Sequence, residues 1–330
     1  MNRIAILGAG AWGTALGVTL ARAGREVTLA ARRRAQLDAM RAAGENAAYL
    51  PGVRIPNNLA LTDDWRESAA AAATVVMAIP SRMARAAFAP VAPAISPDAT
   101  IVSVTKGVEP DTLMTMTRMI AELAPPGKRV AALSGPGFAA EVARGKPAAL
   151  VAAAADDAVA RRVQELFATP TLRIYRSADV IGVELGGVIK NVIAIAAGIS
   201  DGLDLGSSAR AALITRGLAE MTRLVVAAGG RAETMAGLAG LGDLVLTCTG
   251  ALSRNRALGL RLATGASAVE PAAGEPVAEG AANARAVRAL AARLGVETPI
   301  VAAVCRVLYE AAPATAMVEE LLSRQLKAEF

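Results

Sequence analysis

The sequence predicts an α/β fold in two parts: a doubly wound, mainly parallel sheet over residues 1–180, followed by an all-α domain over residues 181–330. Short apolar runs alternate with helix-like segments in the first part, which is typical of parallel sheets with crossover helices. After about residue 180 the segments become long, rich in Ala and Leu, and helical in period. A length of 330 residues also suits two domains better than one.

The first part opens with a βαβ unit. Residues 3–7 and 26–30 are expected to form strands, and residues 14–23 the helix between them, which Gly24 ends. Further strands are expected at residues 74–79, 100–104, 130–133 and 150–153. Strands that alternate with helices in this way favour a doubly wound sheet.

The second part is expected to be helical throughout, apart from a stretch rich in Gly, Pro and Ala at residues 265–278 that predicts a loop. The predicted helices lie near residues 181–199, 208–228, 233–240, 252–264, 279–294, 299–310 and 315–327.

The composition argues against several classes of protein. Aromatic residues make up only 3% of the chain and no block of five basic residues occurs, so nucleic-acid binding is not expected despite a net charge of +6. That charge either reflects an arginine-rich composition or favours anionic small molecules. Two cysteines provide no disulfide framework, which favours a reduced, cytoplasmic location. No apolar run has the length of a spanning helix, so stable membrane insertion is not expected.

Three glycines near the N-terminus predict a dinucleotide site. Gly8, Gly10 and Gly13 have the spacing G-x-G-x-x-G, directly after a strand and at the start of a helix. In a Rossmann-type domain these glycines permit the turn, the approach of a pyrophosphate and close packing of helix on strand. The alternative is a glycine turn with a purely structural role.

Arginines occupy the place where this fingerprint normally has an acidic residue for the ribose 2′-hydroxyl. Arg32 and Arg33 follow the second strand, and a guanidinium can hold a 2′-phosphate through two hydrogen bonds. NADP(H) is therefore favoured as cofactor, with NAD(H) possible. Alternatively these arginines cap a solvated helix start, and Arg34 is expected at the surface.

Two later strands end in ligand-binding candidates, because open α/β sheets bind ligands at the carboxyl ends of their strands. Lys106 follows one of them and could contact a substrate oxygen or the cofactor; a solvated loop lysine is the alternative. Gly135 and Gly137 follow another strand, where their backbone N–H groups could face a ligand or simply form a tight turn.

Lys190 is an unusual residue in this chain, which has no His and only five Lys. It lies in a nearly uncharged helical run, with the small Gly186, Gly187 and Ala194 on the same face. A lysine removed from water can have its pKa lowered into the range useful for acid–base catalysis. The alternative is a lysine whose ammonium reaches from a packed helix to solvent.

A glycine-rich stretch and the motif after it add candidate partners for Lys190. Asp243 could pair with Lys190 and orient it, or could be a turn residue. Ser253, Arg254 and Asn255 lie at an expected helix start, where a phosphate can be held. Ser253 could equally be a simple N-cap.

Taken in order over roughly residues 3–310, these motifs resemble NAD(P)-dependent glycerol-3-phosphate dehydrogenases of the bacterial type. The resemblance rests on Gly-Ala-Gly-Ala-Trp-Gly-Thr-Ala-Leu at 8–16, Thr-Lys-Gly at 105–107, Lys-Asn at 190–191, Asp-Gly at 201–202, Thr-Arg-Gly-Leu-Ala-Glu-Met at 215–221, the glycine-rich stretch 237–246, Thr-Cys at 247–248 and Ser-Arg-Asn-Arg at 253–256.

The resemblance implies reversible reduction of dihydroxyacetone phosphate to sn-glycerol 3-phosphate, which supplies phospholipid synthesis, in a homodimer without a metal. It implies that Lys190 transfers the proton with Asp243 beside it. The implied substrate-binding residues are Lys106, Gly135, Lys190, Asp243, Ser253, Arg254 and Asn255. The implied cofactor-binding residues are Gly8, Gly10, Ala11, Trp12, Gly13, Arg32, Arg33, Lys106, Ala139, Arg254, Val277 and Glu279.

The chain departs from the family pattern at three places. Ala11 replaces the usual Ser before Trp12, Gly137 replaces the Ser of a Gly-Pro-Ser pattern, and Ser207-Ser208 stands where an Asn is expected. Two other functions remain open at this point. One is a related dehydrogenase with a Rossmann-type and a helical domain that acts on a 3-hydroxy acid or ketopantoate. The other is an inactive NADP(H)-binding sensor.

Overall fold

A computed structural model describes residues 3–127, 129–265, 278–326 and 328–329 of the chain. The chain divides into two units, Met1–Glu184 and Leu185–Phe330. The division lies within helix α8 (Val180–Gly202), and the boundary predicted at 180/181 lies at the first residues of that helix.

The first unit contains a mainly parallel sheet, as predicted. Its strands are β1 (Ile4–Leu7), β2 (Val27–Ala30), β5 (Leu59–Thr62), β6 (Thr74–Met77), β7 (Thr100–Ser103), β8 (Arg129–Ser134), β9 (Ala148–Ala153) and β10 (Leu172–Ser177), and β3 (Glu45–Asn46) pairs separately with β4 (Leu50–Arg54). The eight-stranded sheet has the order β10-β9-β8-β7-β6-β1-β2-β5. All its neighbours are parallel except the antiparallel pair β8 and β9.

The predicted strands omit β3, β4, β5 and β10, and that part of the prediction is incomplete. Strands β3, β4 and β10 lack the continuous apolar run that marks a central parallel strand, and β5 has only the short run Leu59-Ala60-Leu61. In β10 buried and exposed residues alternate at an edge of the sheet, and β4 contains Pro51 and Gly52, which usually indicate a turn.

Helices cover both faces of the sheet because alternate strand residues point to opposite sides. Ile4 and Ile6 pack with one set of helices, and Ala5 and Leu7 with the other. The first set is α1 (Ala11–Arg22), α2 (Arg34–Ala43), α6 (Ala139–Ala143) and α7 (Asp157–Phe167). The second set is α3 (Trp65–Ala70), α4 (Ser81–Phe88) and α5 (Met116–Leu123).

The described residues of the second unit contain helices and no strand, as predicted. After α8 they are α9 (Gly206–Ala227), α10 (Ala232–Ala236), α11 (Asp243–Thr249), α12 (Arg254–Ala263), α13 (Glu279–Arg293), α14 (Pro299–Tyr309) and α15 (Ala314–Leu322). The single helix predicted at 233–240 is wrong. The chain instead ends α10 at Ala236 and forms a π-helical turn, Leu238–Gly242, before α11, because Gly237 breaks the helix.

One helix of the described chain, α8, is long and apolar enough to cross a membrane by length and composition alone. Its most apolar window has a mean hydropathy of 1.8, but 89% of that window is buried within the folded chain. Burial of this extent is typical of a core helix.

Glu220 is a buried carboxyl of the second unit with a structural role. Burial raises its pKa to about 7, against the opposing effect of hydrogen bonds from Val301 and Ile300. Its oxygens accept those bonds from the backbone N–H groups of Ile300 and Val301, at 2.9 and 3.0 Å. Glu220 therefore caps the start of α14.

Candidate active site

Two glycines of the N-terminal turn are required by packing alone. Gly8 has φ +118, and a Cβ there would lie 2.3 Å from the carbonyl oxygen of Ala78. A Cβ on Gly13 would lie 2.0 Å from the carbonyl oxygen of Gly8. The turn can therefore pass between β1 and α1 only without side chains at these positions.

Gly10 differs, because a Cβ there would meet nothing within 4 Å. Its φ of −76 is open to any residue, and it is the N-cap of α1 with no side-chain hydrogen bond to the first turn. The first N–H groups of a helix have no partner within the helix, and they favour an anion. The indole Nε1 of Trp12 is buried without a hydrogen-bond partner among the described residues. These features fit the pyrophosphate of a dinucleotide.

Two side chains that sequence reasoning missed hold this turn in place. Asn46 is 1% exposed and donates from Nδ2 to the carbonyl oxygen of Ala9, at 3.0 Å, and to Thr14 Oγ1, at 2.8 Å. Gln36 Nε2 donates to the same carbonyl at 2.8 Å. No local pattern predicts these contacts, because the residues are far from the turn in sequence.

The three arginines after β2 have different surroundings. Arg32 lines a cavity at the carboxyl end of the strand. Arg33 is the N-cap residue of α2 without a capping side-chain bond, and its Nη2 lies 2.9 Å from the hydroxyl of Tyr49. Arg34 is exposed, as predicted, and pairs with Asp63 at 3.3 Å. Arg32 thus lies at the cavity, whereas Arg33 contacts Tyr49.

Lys106 and Gly135, predicted separately, are brought together by neighbouring strands β7 and β8. Lys106 Nζ donates to the carbonyl oxygen of Gly135 at 3.0 Å. The preceding Thr105 is anchored through its hydroxyl to the carbonyl oxygen of Ile79, at 2.7 Å. Gly135 has φ +132, which explains the need for glycine.

Gly137, a departure from the family pattern, lies against Trp12. A Cβ at 137 would be 3.2 Å from Cη2 of Trp12 and 3.5 Å from Val142. The indole ring therefore takes up part of the space that a serine side chain would use. Ala11 and Ala139 are the first residues of helices α1 and α6.

In the second unit, Lys190 is 5% exposed and does not reach solvent as the alternative interpretation required. Its Nζ lies 2.6 Å from Asp243 Oδ1 and 2.6 Å from Thr247 Oγ1. Thr247 Oγ1 in turn donates to the backbone carbonyl of Asp243 at 2.6 Å. The sequence places Thr247 in a motif but assigns it no role; since α11 was not predicted as a helix, the i, i+4 spacing of Asp243 and Thr247 on one face was not apparent.

A close backbone approach positions this pair. A Cβ on Gly186 would lie 2.6 Å from the carbonyl oxygen of Ala239, so the π-helical turn packs directly on α8. Lys190 lies one helical turn after Gly186, and Asp243 lies four residues after Ala239. The glycine at 186 therefore lets α8 and the π-helical turn approach closely enough for the side chains of Lys190 and Asp243 to meet.

Cys248 is the thiol nearest to this pair in sequence. Burial raises its pKa to about 12, with opposing effects from nearby charges that include Lys190. A thiol with such a pKa stays protonated at neutral pH and transfers protons poorly there. Cys248 is therefore a poor candidate for proton transfer in this cluster, whose other ionisable groups are Lys190 and Asp243.

Ser253 is the N-cap of α12, as its alternative interpretation predicted, because its Oγ accepts from the N–H of Arg256 at 3.2 Å. Arg254 is the exposed first residue of the helix. The amide of Asn255 is buried and largely engaged: Nδ2 donates to Asn191 Oδ1 at 2.9 Å, and Oδ1 accepts from the N–H of Gly280 at 2.8 Å.

Close packing fixes α12 against α8. A Cβ on Gly198 would lie 2.1 Å from the carbonyl oxygen of Arg256, and a Cβ on Gly259 equally close to that of Ile195. Asp201 accepts from Arg256 Nε at 2.7 Å and from Arg210 at 2.9 Å. Arg254 therefore belongs to a helix that packs closely on α8, the helix that carries Lys190.

The remaining predicted cofactor residues are Val277 and Glu279. Glu279 is the first residue of α13. Val277 lies outside the described residues. Among the residues that the structure describes, no cluster of three or more His, Cys, Asp or Glu side chains could hold a metal ion.

A glycine turn at the head of a doubly wound sheet, followed by a helical unit with a buried Lys–Asp pair, is the arrangement of a dinucleotide-dependent oxidoreductase. Two family models match: the N-terminal part of NAD-dependent glycerol-3-phosphate dehydrogenase over residues 3–160 and its C-terminal part over residues 179–319. The chain belongs to the NAD-dependent glycerol-3-phosphate dehydrogenase family.

Individual relatives agree with this assignment. The chain is 51% identical to glycerol-3-phosphate dehydrogenase (NAD(P)+) from Geobacter sp. strain M21, over 99% of each chain. It is also 51% identical to the protein of that name from Thiobacillus denitrificans, over 99% of this chain and 100% of the other. The crystal structure of glycerol-3-phosphate dehydrogenase from Coxiella burnetii matches with a TM-score of 0.92 and 41% identity, covering 98% of this chain and 99% of that one.

Proposed function

We propose that this protein reversibly reduces dihydroxyacetone phosphate to sn-glycerol 3-phosphate with NAD(P)H. The observation that carries the proposal is the buried Lys190, held at 2.6 Å by both Asp243 and Thr247. An ammonium fixed by a carboxylate and a hydroxyl is a positioned proton donor. Burying this ammonium costs desolvation free energy, and a buried ion pair adds little net stability in return. Stability alone therefore does not explain why Lys190 is buried here.

Each residue of this cluster has a distinct role in the proposed reaction. Lys190 donates a hydrogen bond to the substrate carbonyl and delivers the proton to its oxygen; in the reverse direction it accepts the hydroxyl proton. Asp243 and Thr247 orient the ammonium, and Asp243 balances its charge. The bound nicotinamide cofactor supplies the hydride.

The start of α12 is proposed as the phosphate site. Arg254 is exposed there, and the N–H groups of the first turn carry the positive end of the helix dipole. Asn255 acts mainly by fixing this helix, because Asn191 and Gly280 already occupy one donor and one acceptor of its amide.

The Arg254→Ala variant is expected to raise KM for dihydroxyacetone phosphate about tenfold or more, with a smaller change in kcat, because a charge-assisted bond to the phosphate is lost. Steady-state kinetics at saturating NADPH measure this. Arg261→Ala, which removes the same charge from the same helix, is the control and should leave KM unchanged. An unchanged KM in Arg254→Ala would contradict the phosphate role.

Several finer features belong to the same proposal. NADP(H) is favoured over NAD(H), because Arg32 replaces the carboxylate that recognises a ribose 2′-hydroxyl. The Ala-rich helices of the second unit support a homodimer formed through that unit. A cytoplasmic location and supply of glycerol 3-phosphate for phospholipid synthesis are proposed from membership of the family.

The direct test is the loss of NADPH absorbance when dihydroxyacetone phosphate is added to the purified protein. Dihydroxyacetone and ketopantoate serve as comparisons, since neither carries a phosphate. Turnover that requires the phosphate would support the proposal. Equal or faster turnover of ketopantoate would favour the related hydroxy-acid dehydrogenase, and NADPH binding without turnover of any carbonyl would favour the sensor.

A further inference from the structure

A cavity of about 750 Å³ opens in the first unit. Its lining includes Arg32 after β2, Asp63 and Asp64 after β5, the start of α3, and Arg82 on α4. Helix α4 follows β6, which lies on the opposite side of β1 from β2. The cavity therefore lies at the point where the strand order reverses, where doubly wound sheets bind nucleotides.

The acidic and basic side chains that line the cavity differ in whether they form ion pairs or hydrogen bonds within the protein. Both carboxylates already have partners: Asp63 pairs with Arg34 at 3.3 Å, and Asp64 accepts from the N–H of Glu67 at 2.8 Å. Three guanidiniums also line the cavity, those of Arg32, Arg66 and Arg82. None of the three makes an ion pair within the described part of the chain. The cavity therefore presents net positive charge to a ligand.

The rest of the lining is apolar. Met83, Ala86 and Ala87 project from α4, and Pro90 and Val91 continue that wall. A volume of this size accommodates a nucleoside phosphate, and an apolar wall suits the face of a purine. The cavity thus combines an anion site with a surface for a flat ring.

We propose that Arg82, together with Arg32, binds the 2′-phosphate of an NADP(H) whose adenosine end lies in this cavity, and so determines the preference for NADP(H) over NAD(H). This inference rests on the proposed NAD(P)-dependent function. It adds Arg82, which no motif indicates, because it stands on α4, fifty residues along the chain from Arg32. A guanidinium from each side of the cavity can share one phosphate.

Titration calorimetry with NADPH and NADH on the full-length protein tests the role of Arg82. Arg82→Ala should weaken NADPH binding about tenfold, as expected for one charge-assisted hydrogen bond at a partly exposed site, and change NADH binding less than about twofold. Arg82→Lys should retain part of the preference. Adenosine 2′-monophosphate should compete with NADPH in the wild-type protein and about tenfold less well in Arg82→Ala.

Arg161→Ala is the matched control. Arg161 is exposed on α7, which packs near β9 and β10 at the opposite end of the sheet, so its loss changes net charge without touching the cavity. An unchanged NADPH affinity in Arg82→Ala, or equal weakening of NADPH and NADH, would overturn the inference while leaving the proposed function intact. A wild-type protein that binds neither dinucleotide would instead remove the proposed function itself.

Discussion

Replacing Lys190 by alanine is expected to lower turnover about 10²–10⁴-fold in both directions, the usual cost of removing a positioned acid–base group. NADPH binding should survive, because the glycine turn belongs to the first unit, Met1–Glu184. Neither a histidine nor an ionised thiol can substitute, since the chain has no His and burial raises the pKa of Cys248 to about 12. Initial rates of NADPH oxidation and NADP+ reduction measure the effect.

The Lys190→Ala variant also leaves the buried carboxylate of Asp243 without its counter-charge, which can cost about 3–5 kcal/mol of stability. Thermal unfolding must therefore be recorded beside the kinetics, and the double variant Lys190→Ala/Asp243→Asn relieves that charge while still lacking the proton donor. Lys146→Ala is the control, because the Lys146 side chain is 62% exposed and pairs with Glu141 in a surface salt bridge. Near-normal turnover of a folded Lys190→Ala protein would refute the assignment.

The fold could be predicted from the sequence where the pattern is local and continuous. The buried strands β1, β6 and β7 and the long apolar α8 carry such patterns. Edge strand β10 could not be predicted in the same way, because its buried and exposed residues alternate and it pairs with a single neighbour, β9. The π-helical turn before Asp243 depends on Gly240, whose Cβ would lie 2.3 Å from the carbonyl oxygen of Met235.

The candidate site likewise contains residues that the sequence predicts and residues that it does not predict. Gly8, Lys190 and Arg254 are visible from residue type and spacing. The roles of Asn46 and Thr247 are not visible, because both act through partners that only the tertiary fold brings near. Asn46 reaches the carbonyl of Ala9 from β3, and Thr247 reaches Lys190 from a helix 57 residues later. Polar side chains that orient a site have no sequence signature of their own.

Substitutions in the glycine turn are expected to have the second large effect. They also separate the role of the turn in cofactor binding from its role in the fold. Gly10→Ala should weaken NADPH and NADH binding alike, about tenfold or more, because the added methyl group enters the open space where the pyrophosphate common to both is expected. The cost in stability should stay within about 1 kcal/mol, that of a less favourable N-cap. Calorimetric binding and thermal unfolding of the same preparation measure both quantities.

Gly13→Ala and Gly17→Ala on the same helix complete the comparison. Gly13→Ala should destabilise the protein by about 3 kcal/mol, because its Cβ would lie 2.0 Å from a backbone oxygen that cannot move freely. Gly17→Ala brings only ordinary contacts, at 3.5 Å from Leu59, and should bind both dinucleotides normally. If Gly10→Ala also binds them normally, the turn is structural and the cofactor lies elsewhere. If it binds neither while remaining folded, the open space at Gly10 is the place where the dinucleotide approaches the backbone.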